Sequence, residues 1–159
     1  MTDRRAGCYN SVVLRVYLDM CCLKRPFDAP TNERVRLEAE AVLIIMSAPV
    51  DAISFVHALA QDLENDQNPV VARASRVRRW LQGIPLEDLV DHDLEDRTSQ
   101  LVELGLRSFD ALHVASSELA SADVVVTCDD RFLAVGRRSS EQLRVRVIDP
   151  ITLAQELFP

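Results

Sequence analysis

The chain has 159 residues, 48% of them hydrophobic and 27% charged, enough to bury one core and unlike a disordered polymer. Its formal net charge of −7 excludes a protein that holds nucleic acid mainly through a broad basic surface. No apolar run reaches the roughly 18 residues that a membrane-spanning helix needs. Lys24 is the only lysine, and the arginine bias suits either phosphate recognition or a GC-rich coding sequence. The four cysteines are Cys8, Cys21, Cys22 and Cys128. The adjacent pair lacks the spacing of a zinc site, and no signal-peptide pattern precedes it. The expectation is a cytoplasmic chain with reduced thiols, in which Cys21, Cys22 and Cys128 are small buried packing residues.

Residues 1–11 are polar and irregular and read as a flexible N-terminal arm. Val12 to Leu18 (VVLRVYL) is apolar at nearly every position and ends at Asp19, the pattern of a strand buried on both faces of a parallel sheet. A loop over 20–30 and a helix capped by Thr31 and running to Ser47 follow. A short strand over Val50–Ser54 leads into a helix from Phe55 to Asn65, stopped by the turn Asp66–Gln67–Asn68–Pro69. A helix over Val70–Leu81, a strand-like Ile84–Pro85–Leu86 and a helix over 91–105 ending at Gly105 come next. Ser108 is placed to cap a helix to Ala120, and Asp123–Thr127 (DVVVT) reads as a second buried strand. A short helix over 130–137, a strand over Leu143–Ile148 and a last helix over Ile151–Phe158 complete the chain. Strands alternating with helices predict a three-layer α/β/α sandwich around a mostly parallel, roughly five-stranded sheet.

Ligands of open α/β sheets bind outside the carboxyl ends of the strands. Two apolar strands end in acids there, Asp19 after the first and Asp129 just past VVVTC. Asp110 lies in the first turn of the helix that leads into the second of them, between apolar Phe109 and Ala111–Leu112. Each acid has a plain explanation alone: Asp129 and Asp110 as helix-start residues, Asp19 as a turn residue. Their convergence is harder to explain so. Neighbouring buried carboxylates are costly unless a proton or cation compensates, and Mg²⁺ favours oxygen ligands of this kind.

Two segments carry a family resemblance. YLDMCCLKRPFD at 17–28 resembles the opening motif of PIN domains, and FDALHVASSELASADVVVTCDDRFL at 109–133 is similar to their second half. The likeness spans residues 12–155, and implies that 12–159 form a single PIN-like domain. It implies a metal-dependent phosphodiesterase, an endoribonuclease that hydrolyses RNA, with Asp19, Asp110 and Asp129 as metal-site aspartates and Thr127 as the hydroxyl residue before the last. Glu64, four residues before Asn68–Pro69, matches a subgroup's fourth acid, with Asp62 as its competitor. The resemblance further implies Mg²⁺ or Mn²⁺, and one or two such ions would activate water and stabilise charge on the phosphate. Its partners would be an RNA substrate, a second copy in a homodimer and an antitoxin protein, if the chain is the toxin of such a pair.

Met20 stands where the family usually has threonine or serine. It motivates the alternative of a weak or inactive PIN module that binds RNA or a protein partner. Lys24 and Arg25, in the loop leaving the active edge, are candidate substrate contacts. Arg73, Arg76 and Arg79 recur at helical spacing and read first as a solvated face. His113, one turn after Asp110 and on the same face, reads as a packing residue before a ligand or base. His57 and His92 have no interpretable context. A phospho-receiver-like domain also gathers acids at strand ends, but it needs a lysine at a later strand end, which Lys24 is not.

Overall fold

The computed structural model describes residues 12–159; the arm expected over 1–11 lies outside them. Strands β1 (Leu14–Leu18), β2 (Ile53–Phe55), β3 (Val124–Val126) and β4 (Arg146–Ile148) form one parallel sheet in the order β2-β1-β3-β4. The helices are α1 (Met20–Lys24), α2 (Glu33–Met46), α3 (Leu59–Asp66), α4 (Val71–Leu81), α5 (Asp91–Glu103), α6 (Ser108–Leu119), α7 (Asp130–Arg138) and α8 (Pro150–Leu157).

Side chains alternate across a strand, and the two central strands are buried on both faces. Val16, Leu18, Val124, Val126 and Ile148 pack with Leu23, Ile45, Val77 and Leu153 of α1, α2, α4 and α8. On the other face Tyr17 and Val125 pack with Leu101, Ala111, Val114 and Phe132 of α5, α6 and α7. Helices therefore cover both faces of the sheet, the three-layer arrangement expected from the alternation of strand and helix.

The sheet has four strands among the described residues, where roughly five were expected. Ile84–Leu86 contributes only one bridge, His57 to Leu86, because Pro85 has no N–H with which to extend a ladder. The segment 20–30 is not a loop. Asp19 accepts from Met20 N and opens α1, and a 3-10 turn over Arg25–Phe27 follows. The apolar Met20, Cys22 and Leu23 give that short helix a buried face. Asn32, not Thr31, caps α2 by accepting from Val35 N at 3.0 Å. A turn over 49–52 delays β2 to Ile53, and α3 starts only at Leu59. Ser108 is the first residue of α6 rather than its cap; Arg107 precedes it with no side-chain cap. Gly105 ends the α5 turn at φ +104°, a conformation that favours glycine.

Gly136, in α7, packs against β4. A Cβ added there would come within 2.6 Å of Val147 Cβ and 2.9 Å of its Cγ2, neither of which can move without the strand. Gly136→Ala is therefore expected to lose stability. Overpacking costs about 1–3 kcal/mol, against a helix-propensity gain of up to about 1 kcal/mol. The midpoint of urea unfolding should fall, and an unchanged or raised midpoint would refute the close approach.

Candidate metal centre

Asp19 extends the β1–β3 pairing by one step, and Thr127 the β3–β4 pairing. Asp19 N donates to Val126 O (2.9 Å), and Thr127 N to Ile148 O (3.0 Å). Alternation then turns Tyr17, Asp19, Val125 and Thr127 toward α6, and Val126 and Cys128 toward α2. Thr127 Oγ1 donates to Asp19 Oδ2 (2.8 Å), and Cys21 Sγ approaches the same oxygen (2.9 Å). The other oxygen accepts from Met20 N at 2.8 Å. Met20 itself is fully buried in the core, and the side-chain donors to Asp19 come from Thr127 and Cys21.

Glu64 reaches this site from α3. Its Oε2 lies 2.5 Å from His113 Nε2, and the same nitrogen is 3.7 Å from Asp19 Oδ1. Ligand atoms of Asp19, Glu64 and His113 lie within 4.8 Å of one another, a group that could hold a metal ion. Asp62, the competing acid, bonds His57 Nε2 instead (2.9 Å). Tyr17 Oη is 2.6 Å from His113 Nδ1, and the ring is completely buried. Ionised Glu64 can only accept, so Nε2 donates to it, and the Tyr17 hydroxyl is the hydrogen-bond partner of Nδ1. His113, expected as a packing residue, is fully buried and also bonds Glu64 and Tyr17. Its role was signalled by the i, i+3 spacing from Asp110 and by Tyr17 sharing the parity of Asp19.

Asp110 stands in the first turn of α6, half-buried, and makes no hydrogen bond or ion pair among the described residues. Asp129 caps α7, its Oδ1 accepting from Arg131 N (2.8 Å) and Phe132 N (3.1 Å). Its backbone N donates to Thr127 Oγ1 at 3.2 Å, and its other oxygen is 3.7 Å from Arg107 Nη1. The cap reading of Asp129 thus holds, with one carboxylate oxygen free of the helix. Lys24 ends α1, and its charge acts on Glu64. Arg25 is committed elsewhere, to Glu38 (3.1 Å) and Asp28 (3.2 Å).

The charges of this cluster are compensated in part by His113, Lys24 and Arg107. Burial, first, and then Cys21 push the Asp19 carboxyl well above the usual carboxylate range, although His113 and Thr127 pull the other way. Burial and then the Asp129 charge raise Asp110. Burial, the largest single effect, opposes ionisation of Glu64 too, but the His113 hydrogen bond and the His113 and Lys24 charges together outweigh it and hold Glu64 below its ordinary value. Burial would lower His113, yet the bond to Glu64 and the charges of Asp19, Glu64 and Asp110 raise it. Such a set could hold a metal ion.

Tyr17→Phe removes the hydrogen-bond partner of His113 Nδ1 and leaves a buried nitrogen unpaired. A loss of about 1–3 kcal/mol in unfolding free energy is expected. Chemical denaturation measures it, and a neutral result would mean that the contact is not a hydrogen bond.

No protein-family model and no curated protein matches the chain. Six chains of solved structures do. One is the crystal structure of PAE2754 from Pyrobaculum aerophilum, which is similar over 99% of this chain and 98% of that one, with a TM-score of 0.53 and 17% identity. At that identity the likeness establishes the α/β fold alone. No described helix is long and apolar enough to cross a membrane.

Proposed function

We propose that this chain is a PIN-type, metal-dependent endoribonuclease, with Asp19, Glu64, Asp110 and Asp129 as its acidic centre. The observation that carries the reading is Asp110. It is a half-buried carboxyl, pushed up by burial and then by Asp129 against the pull of His113 and Arg107, and it makes no direct ion pair among the described residues. The charges of Glu64 and His113 act on it, and those two residues form one group with the buried Asp19. Four segments distant in sequence supply these acids, and that cost is explained if they share a divalent cation.

Asp19, Asp110 and Asp129 would hold the ion, with Glu64 at its margin. His113 Nε2 is engaged by Glu64, so the available donors are oxygens, which favours Mg²⁺ or Mn²⁺. Such an ion would supply Lewis acidity toward a water and toward the phosphate oxygens. The chain's own groups position everything else. Thr127 fixes the Asp19 carboxylate through Oδ2, and His113, held by Tyr17, fixes Glu64. Glu64 is the acid kept ionised, so it is suited to orient a water or accept its proton. Half-buried Lys24 and the exposed Arg107 lie at the rim, where they can meet RNA phosphates despite the negative net charge. The cytoplasmic setting, the homodimer and the antitoxin partner belong to the same reading.

The test incubates a pool of cellular RNAs with wild type and Asp110→Asn, each with Mg²⁺, Mn²⁺ or EDTA. Cleavage should require metal and be lost in the variant. Equal cleavage by both proteins would identify a contaminant. Retained RNA binding with no cleavage by wild type would assign a non-catalytic module instead.

A further inference from the structure

A second cluster lies behind the acids, on the α2 side of the sheet edge. Cys21 and Cys22 stand in the first turn of α1, and Cys128 directly follows Thr127. Their three Sγ atoms lie within 4.8 Å of one another, and those of Cys22 and Cys128 are 3.5 Å apart. Sequence spacing argued against a metal site, because an adjacent Cys-Cys pair cannot form one alone. The parallel pairing of β1 with β3 brings Cys128 to the pair from 106 residues away.

We propose that Cys21, Cys22 and Cys128 form a three-thiolate site for a thiophilic cation of the Zn²⁺ or Cd²⁺ kind, separate in chemistry from the hard-metal centre of the acids. A zinc–thiolate bond of about 2.3 Å sets sulfur–sulfur separations of roughly 3.8–4.0 Å in trigonal or tetrahedral geometry. The cluster is already close to that spacing. Cys21 Sγ accepts an N–H from Cys128 at 3.1 Å, the kind of bond that stabilises a ligating thiolate. The Arg25 charge, paired with Glu38 and Asp28, acts on Cys128 as well and opposes part of the surplus negative charge of three thiolates around a divalent ion. Cys22 and Cys128 are buried, whereas Cys21 is only partly so, which gives an ion its way in. Three S–H protons pass to solvent as three sulfur–metal bonds form. Cys21 Sγ also touches Asp19 Oδ2 (2.9 Å) and Thr127 Oγ1 (3.3 Å), so occupancy removes a hydrogen-bond donor from the acidic centre.

The experiment titrates Cd²⁺ into the metal-free protein, kept reduced by a phosphine. It follows the ultraviolet thiolate-to-cadmium absorption and counts bound ions by native mass spectrometry. One Cd²⁺ per chain with a saturating band is expected, displaced by Zn²⁺. Affinity should fall at least tenfold in Cys128→Ala and in Cys21→Ala, the latter at a partly exposed position that keeps the fold. Asp110→Asn and Cys8→Ala should bind as wild type, so the result is independent of the nuclease reading. Absence of the band, a band unchanged in Cys21→Ala and Cys128→Ala, or one lost in Cys8→Ala would overturn the proposal. So would a Cys22–Cys128 disulfide that persists in the phosphine and binds no ion.

Discussion

Asp19→Asn is expected to separate activity from stability. Losing a charged ligand at the centre removes several kcal/mol of transition-state stabilisation, on the order of 10²–10⁴ in rate. The fold should not suffer in proportion. Asparagine is as good a helix N-cap as aspartate, and its carbonyl can still accept from Met20 N. The Asp19 carboxyl is buried and pushed well above its ordinary range, so in the metal-free protein the substitution removes a group that is costly to ionise. The metal-free variant should therefore melt at or above the wild-type temperature. Mg²⁺ or Mn²⁺ should raise the melting temperature of wild type and leave that of the variant nearly unchanged. Parallel melting curves with and without metal, together with single-turnover cleavage, check both halves. A variant that loses activity only because it unfolds would show Asp19 to be structural.

The second large effect is expected far from the acids, between α5 and α6. Glu118 has a completely buried side chain, and Arg97 grips both its oxygens at 2.5 and 3.0 Å. Glu118 also accepts from Arg144 N at 2.8 Å, and Arg97 donates to Gln142 O at 2.7 Å. The pair thus ties α5 and α6 to the turn before β4. Arg97→Met leaves a buried carboxylate without its partner, a loss of about 3–5 kcal/mol, or roughly 10 °C or more in melting temperature for a domain of this size. Because a buried pair is itself expensive to desolvate, Arg97→Met combined with Glu118→Leu should recover most of the loss. The remaining deficit is about 1 kcal/mol for the orphaned Arg144 N–H. Thermal unfolding of the two single variants and the double variant closes the cycle. A double variant as unstable as Arg97→Met would mean that the arginine acts by packing alone.

The parts of this fold that repeat a simple pattern are legible without coordinates. The apolar runs around Val16 and Val125 are buried on both faces, as their lack of alternation requires, and the acids that end them lie at the sheet's carboxyl edge. Short-range chemistry is less legible. Thr31 and Asn32 are both competent caps, and only the path of the chain selects Asn32. The strand-like Ile84–Leu86 has the right residues but one proline too many. Long-range partners are the least legible. Glu64 and Asp62 differ by two residues on α3, and one turns to His113 while the other turns to His57. Cys128 meets Cys21 and Cys22 only because β1 and β3 are neighbours in register, which no local spacing records.

On the proposed reading, the acids around Asp19 and Asp110 serve a cation that activates water against an RNA phosphate. The most direct measurement is mass spectrometry of the new RNA ends after single-turnover cleavage in heavy-oxygen water, with Mg²⁺ or with EDTA. If water is the nucleophile, each new phosphate end carries heavy oxygen, no 2′,3′-cyclic phosphate forms, and EDTA or Asp110→Asn stops the reaction. Cleavage that persists in EDTA and leaves cyclic phosphate ends would contradict the account.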